Sequence, residues 1–325
     1  MEEQVATAPA AELAGTERES YAFIMNVWQL AEVETYTLAP GHVLRRATTD
    51  ETEVIKRTLA RIAGESNPLA DYFWEHRWPH PGGAIERLPE AEWRYFVIAF
   101  KGSNVTLHRL QAAMDLAPLE LEVGFTVLRW GKASPHNAIS WTPGRLFHVL
   151  EDAQGNAAFF KRVTVADLDT ITEIHTRLAA DGEHLVKVGR LVQQISDLKA
   201  LRHESPLRFL GYFTILESLL THSPKPTDPY ESLARQVKKK VALLNHRWAN
   251  PLDYAPFGKT SPDMIWTKMY LYRSMLAHGA EPSFTSDLQV LGNHACALRL
   301  IKETVKLTIR QALEEPQLLV DLREC

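Results

Sequence analysis

Apolar and polar positions change rhythm partway along the chain, and the change falls near residue 165. Before it, short aromatic and β-branched runs dominate. Residues 93–100 and 125–130 have the composition of buried strands. Residues 146–150 and 157–160 flank Gln154-Gly155-Asn156, a pattern that predicts a hairpin or loop connection. Thr48-Thr49-Asp50 with Glu51 and Glu53 reads as a helix start, leading into Val54, Ile55, Thr58, Leu59 and Ile62. The expectation is a mixed α+β domain over residues 21–164. An Ala/Glu/Thr-rich arm over residues 1–20, poor in large apolar groups, precedes it.

After residue 165 the spacing becomes that of helices. Residues 167–201 carry Leu168, Ile171, Ile174 and Leu178, then Leu185, Val188, Leu191, Ile195 and Leu198, at three- and four-residue steps. Ser205-Pro206 opens a second helix, with serine as cap and proline in the first turn. Pro224, Pro226 and Pro229 end it. A third is predicted over residues 231–246. Ser261-Pro262-Asp263 begins a fourth that Gly279 terminates, and Ser286-Asp287 a fifth that reaches Glu315 before Pro316. Residues 165–325 are therefore expected to be all-helical.

Composition narrows the class without naming it. Apolar residues make up 45% and charged residues 23% of the 325, the balance of a soluble globular protein. The start of the chain lacks the basic-then-apolar pattern of a secretory signal, and no apolar run is long enough to span a membrane. Two cysteines, Cys296 and Cys325, suit free thiols in a reducing cytoplasm. Net charge is −4, but residues 200–325 hold 16 Lys+Arg against 13 Asp+Glu, a balance of +3 that leaves −7 for the rest. No phosphate-binding loop, dinucleotide fingerprint or Ser-His-Asp signature is present, and no cofactor is expected. His76 and His80 lie four apart, but Pro79 interrupts them, so no metal site is expected, and the neighbouring Tyr72, Phe73, Trp74 and Trp78 suit a core.

Candidate chemistry sits on the predicted fourth helix. Ile265, Met269, Tyr272 and Leu276 form its apolar face. Arg273 falls at the border of that face, and His278 follows where Gly279 should end the helix. Histidine can donate or accept a proton near neutral pH, and arginine offers a donor fork matched to phosphate oxygens. Those two groups suffice for RNA cleavage without a metal.

The surrounding residues carry a resemblance. Phe213-Thr214-Ile215-Leu216-Glu217-Ser218-Leu219-Leu220, a proline-rich gap, residues 233–244, and Lys268-Met269-Tyr270-Leu271-Tyr272-Arg273-Ser274-Met275-Leu276-Ala277-His278-Gly279 resemble the Apea-like branch of the HEPN superfamily. The resemblance covers residues 165–315. It implies that the α+β N-terminal domain is followed by an all-α HEPN-like helical bundle, which acts as a metal-independent endoribonuclease in phage defence or toxin-like growth arrest. The superfamily's Arg-x(4–6)-His motif maps onto Arg273 and His278, and a homodimer with a composite cleft is implied. Ser274 departs from the Asn, Asp or His that the family often has after the arginine. The alternative is an inactive HEPN dimer serving as an RNA-binding or protein-interaction adaptor.

Two features support that site. Glu217 is a candidate orienting partner for Arg273, or else an ordinary solvated glutamate. Arg235, Lys238, Lys239 and Lys240 form a basic cluster suited to an RNA backbone, or to a solvated helix face. Arg299, Lys302, Lys306 and Arg310 read as the wet side of an amphipathic helix, opposite Leu298, Ile301, Val305, Thr308 and Ala312. The N-terminal domain is the expected place for a trigger or regulatory partner.

Overall fold

In the computed structural model, which describes residues 19–63, 74–77, 84–101, 104–129, 137–142, 144–146, 149, 159–180, 183–222 and 232–324, the first element is strand β1 (Ser20–Ile24). All five of its residues are buried, because it lies in the middle of a sheet covered on both faces. β2 (Val27–Leu30) follows, then the hairpin of β3 (Thr35–Ala39) and β4 (His42–Arg46), turned by Gly41 at φ 75°. Helix α1 (Thr49–Ala63) opens on a reciprocal cap. The Thr48 hydroxyl accepts from the Glu51 amide, and the Thr48 amide donates to the Glu51 carboxylate.

β5 (His76–Arg77) and β6 (Glu86–Arg87) make a small ladder before β7 (Phe96–Phe100), α2 (Asn104–Leu116), β8 (Val123–Arg129) and β9 (Asn137–Ser140). The six-stranded sheet runs β3-β4-β7-β1-β8-β9, antiparallel at every pairing. β10 (Lys161–Val163) pairs in parallel with β2. The two-residue side-chain period sends Tyr21, Phe23, Val97, Phe125 and Val127 to one face, where Trp74, Ile55 and Leu59 cover them. Ala22, Ile24, Phe96, Ile98 and Phe100 go to the other face, toward the helices.

The two predicted strands are present with shifted ends. The four strands before residue 47 were not predicted. Ser20, assigned to the arm, is buried in β1, and residues 1–18 lie outside the described residues. Of the hairpin or loop connection expected across residues 146–160, the described residues on the first side, 146 and 149, are helical rather than extended. Gln154-Gly155-Asn156 lies outside the described residues.

The helical part comprises α3 (Val165–Ala179), α4 (Glu183–Leu198), α5 (Pro206–Leu220), α6 (Leu233–Arg247), α7 (Pro262–Ala277), α8 (His294–Glu314) and α9 (Pro316–Glu324). Side chains cap several starts: Thr164 in a box with Asp167, Ser232 on Arg235, and Ser261 on Met264. Ser205 precedes Pro206 but makes no side-chain cap. The single stretch predicted over residues 167–201 is two helices, broken at Ala180, whose ψ of 152° is extended. The fifth predicted helix starts later than Ser286. A 3-10 turn at Gln289–Leu291 ends on Gly292 at φ 71°, and Asn293 then caps α8 through the Cys296 amide.

One apolar cluster joins the inner sheet face, α2 and α3 to α5, α7 and α8. The stripe expected to be wet on α8 is only partly so: Arg299 is exposed, but Lys306 is 1% exposed, and both Lys302 and Lys306 reach Glu120. No helix among the described residues is long and apolar enough to cross a membrane.

Candidate functional site

The rotation of α7 is set by what it buries. Ile265, Trp266, Met269 and Tyr272 face inward. The Tyr272 ring lies 4.5 Å from Phe209 and edge-on to Phe284 at 5.1 Å, and its hydroxyl is 2.7 Å from His294 Nδ1. Burial pushes the Tyr272 hydroxyl up to about 12, so it stays protonated at neutral pH. With Tyr272 locked inward, Arg273 emerges at the edge of the helix, its side chain 27% exposed.

There Arg273 meets α5. Its Nη2 donates to Glu217 Oε2 at 3.0 Å, and its guanidinium carbon lies 5.9 Å from the Tyr270 ring centre. The other Glu217 oxygen is buried and has no hydrogen-bond partner among the described residues. Burial and then the Glu217 charge raise the Tyr270 hydroxyl, against a smaller opposing pull from Arg273. The carboxylate expected near Arg273 is thus in direct contact with it.

His278 closes α7. Its amide donates to Ser274 O at 3.1 Å, Gly279 adopts φ 72°, and the Gly279 and Ala280 amides return to Leu276 and Met275. This is the Schellman pattern, in which a left-handed glycine lets the chain turn back on the last carbonyls. The His278 ring is exposed, and no hydrogen bond joins it to Arg273 or Glu217. Both motif residues therefore occupy the last turns of one helix, with only Arg273 held by a side-chain partner.

Beside them lies a groove of about 720 Å³ between α6 and α7. Arg235, Lys238 and Lys239 line one side, and Tyr270, Leu271 and Ser274 the other. Lys238 is anchored by Asp263 Oδ1 at 2.8 Å and the Thr267 hydroxyl at 2.9 Å. Lys240 does not join them. It is 7% exposed on the inner side of α6, with Val237, Val241 and Leu244, so the expected cluster of four is a groove cluster of three. Trp74 is buried against the sheet face that carries Phe23 and Phe125, as its aromatic surroundings suggested, while Tyr72, Phe73, Trp78 and His80 lie outside the described residues.

One cluster had no counterpart in the sequence reading. Arg145 binds Asp115 at 2.8 Å and Glu122 at 2.9 Å, and Lys199 binds Asp115 at 2.6 Å and both Glu120 and Glu122 at 2.7 Å. Lys306 also donates to the Ala117 carbonyl. Burial drives the Glu120 carboxyl upward, but Lys199, Lys302 and Lys306 outweigh it and hold it well below the usual range. The same carboxylates raise Lys199 against its own burial. The only sequence signal was Lys302 and Lys306 on a helix otherwise rich in apolar residues.

Comparison with known proteins yields no match to a family model, to a curated protein or to a solved structure.

Proposed function

We propose that the chain is a metal-independent endoribonuclease of the HEPN type, working as a homodimer. The observation that supports this most is the Arg273–Glu217 pair, standing beside a groove lined by Arg235, Lys238 and Lys239. A carboxylate that fixes the guanidinium leaves its remaining N–H groups aimed by geometry rather than by chance.

In the reaction, the RNA 2′-oxygen forms a bond to the adjacent phosphorus as the bond to the 5′-oxygen breaks. The products are a 2′,3′-cyclic phosphate and a 5′-hydroxyl. One histidine takes the 2′-OH proton and another gives a proton to the departing 5′-oxygen, while Arg273 balances the charge on the five-coordinate phosphorus. A single His278 cannot fill both roles at once, which is why a second copy contributes the other.

The test is incubation of the full chain with mixed single-stranded RNA in EDTA, beside Arg273→Ala and His278→Ala. Cleavage that survives chelation, leaves cyclic-phosphate ends and falls by about 100-fold or more in each variant is expected. Cleavage that persists in both variants puts the active site elsewhere. The adaptor reading draws on the exposed His278 ring: among the described residues of one copy, no side chain links it to Arg273. It predicts salt-sensitive RNA binding and no product.

A further inference from the structure

A second cavity, of about 810 Å³, opens where the sheet half meets the helical half. Leu119, Val149 and Phe159 give it an apolar wall. Its described charged lining is Lys161, Lys199, Arg208, Arg299 and Lys302 against Glu120, Glu122 and Asp167, five cations to three anions, a balance of +2. The three carboxylates are already engaged. Glu120 and Glu122 bind Lys199, and Asp167 caps α3.

Two of the cations have no such counterpart. Arg208 is 7% exposed, and among the described residues its Nε has no hydrogen-bond partner and its guanidinium no ion pair with a carboxylate. Among the described residues its side chain hydrogen-bonds to His203 Nδ1 at 3.2 Å. Arg299 is exposed and likewise makes no ion pair with a described residue. A guanidinium taken out of water without a counter-charge is unfavourable, and it is stabilised when an anion completes the site. Near it, the fully buried Tyr212 hydroxyl also has no hydrogen-bond partner among the described residues, amid the fields of Lys302, Glu120 and Arg208.

We propose that this cavity binds a small phosphorylated ligand, its phosphate oxygens held by Arg208, Arg299 and Lys302 and its apolar part lying against Phe159 and Leu119. Arginine forks suit phosphate geometry, and the cavity falls in the range for nucleotide-sized molecules. The site is separate from the α6–α7 groove and does not depend on RNA cleavage.

Isothermal titration of the full chain with pyrophosphate, without added metal, tests it. One saturable site per chain is expected. Arg299→Glu, a surface change that leaves the core intact, should weaken binding by about 10-fold or more, since it reverses one of the phosphate-facing charges. Arg208→Gln should weaken it similarly; if that variant fails to fold, Arg299→Glu carries the result. Lys239→Glu, in the other groove, should leave affinity unchanged. Absence of saturable binding, equal affinity in Arg299→Glu, or a loss confined to Lys239→Glu would each overturn the proposal.

Discussion

At the scale of single residues, Glu217 is the most informative side chain near Arg273. Half-buried carboxylates usually use both oxygens, yet one Glu217 oxygen holds Arg273 and the other has no partner among the described residues. If its role is to position the guanidinium, Glu217→Gln should lower kcat by about 10- to 100-fold with little change in KM, because the lost interaction acts in the transition state. Glu217→Asp should recover part of that loss. Unchanged kcat in Glu217→Gln would reduce the pair to a packing contact. Tyr272 offers a stability counterpart: Tyr272→Phe removes only the bond to His294 and should cost about 1 kcal/mol in a denaturant melt.

Elements differ in how plainly the sequence announces them. α7 was legible because Ser261-Pro262 and Gly279 are local punctuation whose effect needs no tertiary partner. The start of α8 was not, since Ser286-Asp287 imitates a cap while the residue that caps is Asn293, released by the left-handed Gly292. β1 gave no alternating pattern because both of its faces are buried, and a run such as Ser20-Tyr21-Ala22-Phe23-Ile24 carries no period to read. Contact between Glu217 and Arg273 was anticipated only as a candidate, 56 residues apart, and Lys306 was misplaced outright because its partner Glu120 lies 186 residues away. Helix spacing tells which residues share a face; it does not tell what that face meets. Gly144 illustrates the same dependence. A Cβ there would stand 2.6 Å from the Ala200 carbonyl oxygen, backbone that cannot swing aside. Gly144→Ala should destabilise the chain by about 1–3 kcal/mol, read as a drop in melting midpoint. A midpoint equal to that of the unaltered chain would mean the turn before Arg145 relaxes freely.

Across the whole molecule, the change of rhythm near residue 165 marks a change of secondary structure inside one continuous core, and charge as well as apolar packing crosses it. Asp115, Glu120 and Glu122 are each held below their ordinary range by Arg145 and the lysines, which overcome the opposite push of burial. A depressed carboxylate contributes stability that is complete above the unfolded value of about 4 and is lost as pH falls through the folded one. The melting midpoint should therefore decline below about pH 4, and a midpoint holding constant down to about pH 3 would count against the network. The same geometry bears on how regulation by the N-terminal half can be examined. Cutting before residue 165 removes all three carboxylates and leaves Lys199, Lys302 and Lys306 without their ion-pair partners, next to the core surface that α2 had covered. Removing the partners of buried charges typically costs about 3–5 kcal/mol each time, comparable to a domain's entire stability once two or three are lost. Isolated residues 165–325 should accordingly show no cooperative melt and should bind a hydrophobic dye, so low nuclease activity in that fragment would reflect unfolding rather than the absence of an inhibitor. A cooperative melt within a few degrees of the full chain would instead make the helical part an independent unit, and its activity could then be compared directly.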